Sequence, residues 1–176
     1  QADMSRKKIF TIGAQELRGK SRPITRFDTR LALILRDMAD TMYEANGVGL
    51  AAPQVGILRR LVVIDVGEGL MELVNPEIIA AEGECGMVEG CLSVPGRRGF
   101  VTRSEKVTLK AQDKTGKPFE VVADGLLARA IQHEIDHLDG ILYVDKMDHE
   151  VFEDDEEEEA PVAELPARRR ARRRVG

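Results

Sequence analysis

Apolar residues at Leu31, Ile34, Leu35, Met38 and Met42 recur at intervals of three and four, which puts them on one face of a helix predicted between Asp28 and Ala45. Asp28 stands where an N-cap belongs, and Asn46-Gly47 supplies the stop. Beyond it the period changes. LVVIDV (61–66) and LVNPEII (73–79) are β-rich runs, while VTLKAQ (107–112) and PFEVVA (118–123) alternate about DKTG and predict a hairpin. A second helix is predicted from a cap at Asp124 to Gly140, with Leu127, Ile131, Ile135 and Leu138 on one side and Leu126, Ala130, His133, Glu134 and His137 on the other. Such a helix is buried on both sides, with core behind it and a site in front. After Gly140 the run ILYVDKM is expected to leave as a strand, and residues 1–8 carry no structural role. The pattern predicts an α+β fold: antiparallel sheets packed around a central helix carrying H-E-x-x-H, plus an N-terminal helix.

Composition narrows the setting. At 176 residues, 43% hydrophobic and 32% charged, the chain can bury one core, and a single folded unit over residues 4–150 is expected. From Glu153 the composition shifts to like-charge blocks with two prolines, EDDEEEEAPVAELPARRRARRRVG, so residues 153–176 are expected to be a disordered tail. Of the chain's 31 acids and 26 bases, that tail holds eight acids (Glu153 to Glu159, and Glu164) and six arginines (Arg168 to Arg174 without Ala171). The rest is only mildly acidic. A net charge of −5 argues against a surface made for DNA. No apolar run approaches the length of a membrane span and no charged-then-apolar leader opens the chain, so a cytoplasmic location without membrane contact is expected. Two cysteines, Cys85 and Cys91, are too few for a disulfide framework.

The chemistry concentrates in QHEIDHLDG (132–140). His133 and His137 are four apart, so on a helix both imidazoles reach one ion, and Glu134 stands beside it to handle the proton of a bound water. This is the spacing of a metal-activated hydrolase. A catalytic site keeps three protein ligands and an open position. A downstream acid could complete the set, His149 reads more simply as a solvated surface residue, and Cys91 in EGCLS (89–93) is the better candidate. Cys85 reads as a small buried thiol. In GVGLAAPQ (47–54), two glycines permit close backbone approach and Gln54 offers an uncharged amide to a developing oxyanion.

GVGLAAPQ, EGCLS and QHEIDHLDG, in this order, closely resemble the three motifs of the bacterial peptide deformylases, iron-dependent enzymes that remove the formyl group from N-formylmethionyl nascent chains. The resemblance covers roughly residues 9–148. It implies that Cys91, His133 and His137 bind Fe²⁺, with Zn²⁺, Ni²⁺ or Co²⁺ as substitutes, and that Glu134 is the general acid/base. It further implies that Gln54 and the Leu92 N–H hold the oxyanion, that Val48, Gly49 and Gly90 pair with an extended substrate, and that Arg98 lies beside the peptide. Leu126, Ala130 and the His133 ring would line a methionine pocket. Two departures stand out: Pro53 where some members have threonine, and Arg129 where some have an apolar residue, there expected to lend its methylene stem to the pocket wall.

Two rival readings belong to other classes. A zinc metallopeptidase cutting internal peptide bonds would need a third ligand C-terminal to the helix. A ribosome- or RNA-binding module would act through RRRARRR, and ribosome contact through this tail is also expected of the deformylase reading.

Overall fold

The computed structural model describes residues 6–152. The first five residues and the charged segment from Glu153 lie outside the described residues, and with them the expectations made there. The N-terminal helix α1 runs Thr29–Glu44, and Asp28 caps it by accepting the Leu31 N–H at 3.1 Å. Asn46, with φ of 58°, turns the chain out of the helix. Strand β1 (Gly49–Ala51) follows, then β2 (Leu61–Ile64) and β3 (Met71–Glu82). A hairpin of β4 (Cys85–Cys91) and β5 (Val94–Arg103) comes next, and a second of β6 (Lys106–Gln112) and β7 (Pro118–Asp124). Helix α2 spans Gly125–Leu138, α3 is a single turn over Tyr143–Lys146, and β8 is His149–Val151.

The strands form two antiparallel sheets, one of five in the order β1-β2-β3-β6-β7 and one of three in the order β4-β5-β8. Strand β2 shows why LVVI reads as an unbroken apolar run. Val62 and Ile64 face a cluster with Leu73, Leu109, Ala128, Ile131 and Leu138, against α2. Leu61 and Val63 face the other way, onto Leu31, Leu35, Met38 and Met42 of α1. A strand covered on both faces has no polar side to alternate with. A third cluster, with Leu17, Val94, Val101, Leu142 and Tyr143, packs around Cys91.

Two local expectations change, and one hairpin had no signal in the sequence. The β4–β5 hairpin has no clean alternation, because Gly86, Gly90, Gly96 and Gly99 interrupt it and Glu89 and Arg103 are buried. Residues 141–147 are not a strand. The Asp145 carboxylate accepts the Leu142 N–H at 2.9 Å and starts the α3 turn instead. Asp124 occupies the N-cap of α2 in extended conformation, but its side chain makes no capping bond. At the other end, Gly140 turns left-handed with φ of 76°, and a Cβ there would lie 2.6 Å from the Arg18 carbonyl oxygen. Only glycine lets the exit of α2 press this closely on the 3-10 turn Gln15–Arg18. Among the described residues no helix is long and apolar enough to cross a membrane.

Removing the α1 cap tests this local account. Asp28→Ala is expected to lower unfolding free energy by about 1 kcal/mol, read from the urea midpoint with an unchanged m-value. An unchanged midpoint would refute the capping role.

Candidate active site

The β4–β5 hairpin closes through a two-residue turn, Leu92-Ser93, with Cys91 paired to Val94 across it. Cys91 is therefore held at the mouth of a rigid hairpin. From α2, His133 and His137 extend one turn apart on the same face. The structure brings the three together: one donor atom from each lies within 4.8 Å of the others, and all three residues are buried. The Cys91 Sγ is 3.4 Å from the His137 Nε2, which is 3.2 Å from the His133 Nε2. Metal bonds of ordinary length in a tetrahedral site would give edges of roughly 3.6 Å for S–N and 3.3 Å for N–N. The donor set thus fits a divalent ion without moving any element. No downstream acid joins this group among the described residues.

Glu134 lies against β1, where a Cβ on Gly49 would fall 2.6 Å from its Oε2. Both of its carboxylate oxygens are buried without a hydrogen-bond partner. Buried polar groups are nearly always satisfied, so an unpartnered carboxylate beside a metal-capable cluster is suited to hold a polar group brought to that cluster. Burial pushes the Glu134 carboxyl well up, and the charge of Glu89 adds to it against the opposing pull of Arg103. Burial likewise pushes the Cys91 thiol up, with the Glu134 charge in the same direction; the N–H groups of Ser93 and Val94 oppose this without balancing it. A dication beside them favours both ionised forms, since a coordinating thiol is deprotonated outright.

Gln54 sits in a 3-10 turn, Ala52–Val55, just after β1. Its Oε1 accepts the Ala51 N–H at 2.9 Å, and its Nε2 donates to the Ser93 Oγ at 3.1 Å and stands 3.8 Å from the Cys91 Sγ. The donor end of the amide therefore faces the cluster. Strands β1 and β4 are each the edge of their sheet, so Gly49 and Gly90 lie on backbones with one side unpaired by a strand. Val48, just before β1, is buried in the same apolar cluster as Ala130, while Leu126, one turn earlier on α2, is 38% exposed. Arg98 on β5 passes its Cγ within 3.8 Å of where a Gly90 side chain would begin. Leu92 occupies the hairpin turn and is buried.

Sequence reasoning missed the residue that orients this site. Glu89, fully buried, accepts four hydrogen bonds: from Arg103 Nε (2.6 Å) and Arg129 Nη1 on Oε2, and from Arg103 Nη2 (3.0 Å) and His133 Nδ1 (2.9 Å) on Oε1. Burial alone would raise its pKa, but the His133 bond and the Arg103 charge prevail and hold it well below the carboxylate range. An ionised Glu89 only accepts, so the His133 Nδ1 carries the proton and the Nε2 lone pair points into the cluster. The signal was present in EGCLS as an acid among small and apolar residues. Arg129 has its guanidinium buried against the Glu89 carboxylate and the Val101 and Cys85 carbonyls, contacts that the sequence did not indicate. Cys85 is half-buried rather than buried, and it lies outside the metal-capable group. His149 is exposed and stacks on Phe100.

Comparison with known proteins places these features in a family context. The family model described as Polypeptide deformylase matches residues 6–153. A peptide deformylase of Caldicellulosiruptor bescii is 59% identical over 155 residues, 88% of this chain and 93% of its own. The crystal structure of a peptide deformylase from Legionella pneumophila superposes with a TM-score of 0.78 at 46% identity, covering 93% of this chain and 92% of that one. A Synechococcus elongatus peptide deformylase, solved in complex with actinonin, gives a TM-score of 0.78 at 42% identity over 82% of this chain and 85% of its own.

The depressed pKa of Glu89 carries a pH prediction. Its contribution to stability is present in full above the unfolded carboxyl value of about 4.3 and is lost as pH falls toward the lower folded value. Wild-type protein is expected to lose urea resistance below about pH 4 more steeply than Glu89→Gln, which starts about 3 kcal/mol less stable at neutral pH. Identical slopes would remove Glu89 as the acid-sensitive group.

Proposed function

The chain belongs to the polypeptide deformylase family, and we propose how its residues divide the work of releasing formate from N-formylmethionyl chains. The observation that carries this reading is the approach of one sulfur and two imidazole nitrogens to metal-bonding separations beside the orphaned Glu134 carboxylate.

Cys91, His133 and His137 hold the ion, which is Fe²⁺ in this reading, with Zn²⁺, Ni²⁺ and Co²⁺ as substitutes; the motif resemblance to the iron-dependent enzymes supports the choice. When bound, it supplies Lewis acidity that lowers the pKa of an adjacent water toward neutrality. Glu134 takes the proton of the attacking water at its carboxylate and returns it to the nitrogen of the departing amine. Gln54 Nε2 and the Leu92 N–H receive the charge that develops on the formyl oxygen, a contribution of about 3 kcal/mol per donor. Val48, Gly49 and Gly90 hold the peptide extended between two sheet edges, with Arg98 alongside. Leu126, Ala130 and the His133 ring form the wall for the methionine side chain, an unbranched group that fills an apolar slot readily.

Both sheets packed about the helix that carries H-E-x-x-H belong to this reading, as does a catalytic unit over residues 4–150. We also assign a cytoplasmic setting, and ribosome contact through the Arg-rich end of segment 153–176. The metallopeptidase alternative gains no support, since the metal-capable group draws its third atom from Cys91, upstream of the helix. An RNA-binding module as the sole function leaves the family match without purpose.

Purified protein is expected to release formate from a formyl-methionyl peptide, to lose this on chelation, and to regain more of it with Fe²⁺ under anaerobic conditions than with Zn²⁺. Glu134→Gln should retain its metal while kcat drops by about 10²–10⁴. Cys91→Ala should lose metal and activity together. Cleavage inside an unformylated peptide, with no formate produced, would overturn the reading. For the tail, deletion of residues 153–176 is expected to reduce co-sedimentation with ribosomes at low salt; an unchanged pellet would remove it as the docking element.

A further inference from the structure

The sulfur of the metal-capable cluster comes from the β4–β5 hairpin and its nitrogens from α2, so their separation depends on how these two elements seat on each other. Arg129, His133 and His137 are spaced i, i+4, i+8, and Arg129 therefore stands on the ligand face of α2 one turn before the first imidazole. Its side chain is 3% exposed. All three of its hydrogen bonds go to the hairpin: to the Glu89 carboxylate and the Cys85 carbonyl on β4, and to the Val101 carbonyl on β5 at 2.9 Å.

Arg103 cannot substitute for this link. It lies on β5, so its fork on Glu89 joins the hairpin to itself, and its one bond to α2, at Asp136, is to a carboxylate that Lys146 also holds. Arg129 alone brings a guanidinium from the helix to the Glu89 oxygen opposite the one that accepts the His133 Nδ1. The Arg103 fork holds both oxygens from the hairpin side, and Arg129 ties the same carboxylate to the helix, so the plane it presents to His133 is fixed relative to α2.

We propose that Arg129 is a positioning residue for the metal centre: acting through Glu89 it sets the orientation of the His133 imidazole, and through Cys85 and Val101 it sets the distance between the Cys91 sulfur and the two histidines. The assignment rests on the metal-dependent reading above. It gives a role to a position where this chain spends a buried charge.

The test compares the full chain with Arg129→Met, which keeps length and apolar volume, and with Arg129→Lys, which keeps the charge but not the planar fork. Zn²⁺ affinity is measured by competition with a chromophoric chelator, and the site is viewed directly in the visible and near-ultraviolet spectrum of the Co²⁺-saturated protein. Asp28→Ala, destabilised far from the site, is the control for a merely structural effect. Arg129→Met is expected to bind Zn²⁺ about 10–100-fold more weakly with shifted Co²⁺ bands, Arg129→Lys to fall between, and Asp28→Ala to match the native protein in both. Affinity within about twofold of native together with superimposable Co²⁺ spectra would overturn the proposal. Should Arg129→Met fail to fold by circular dichroism, the same two readouts on Arg129→Lys decide, with native behaviour again overturning it. A native chain that binds neither ion would instead overturn the metal-dependent reading itself.

Discussion

A carboxylate that stays ionised when buried must be surrounded by donors, and Glu89 accepts four hydrogen bonds. Stripped of one partner, such a buried ion costs about 3–5 kcal/mol. That penalty makes the arrangement of its neighbours nearly all-or-none. Two of the four donors come from α2, as Arg129 and His133, and two from β5, as Arg103. The ionic cluster is thus the joint at which the helix meets the hairpin, and the metal-capable atoms lie within one turn of it.

The hydrophobic layers bring the two elements near, and the polar joint sets their register. Clusters on both faces of β2 lock α1 and α2 to opposite sides of the five-stranded sheet, which places α2 between that sheet and the β4–β5 hairpin. Apolar contact is non-directional and tolerates small slips. Hydrogen bonds to a planar carboxylate do not, because their angles and lengths are narrow. A site that needs three atoms within 4.8 Å of one another draws its precision from the second kind of contact.

Electrostatics separates the two buried glutamates. Glu89 is held ionised by the His133 bond and Arg103, whereas Glu134 is raised by burial and by the charge of Glu89 itself. One carboxyl is a fixed acceptor that orients a ligand. The other is buried with no hydrogen-bond partner, and burial favours its neutral form.

What the sequence determined by itself was whatever depends on neighbours a few residues away. The α1 stripe with its Asp28 cap, the hairpin about DKTG, and the four-residue spacing of His133 and His137 all follow from local periods that the chain cannot avoid expressing. The three motifs named the family because their residue types are tied to chemistry. Only the tertiary structure decided which charges meet: Glu89 lies 14 residues from Arg103, 40 from Arg129 and 44 from His133. Folding also buried the Arg129 guanidinium, hid the β4–β5 hairpin behind glycines and buried ions, and let the Asp145 cap turn Tyr143–Lys146 into a helical turn. No local period encodes a pairing across the chain, since the cost that enforces it exists only after folding has removed the water.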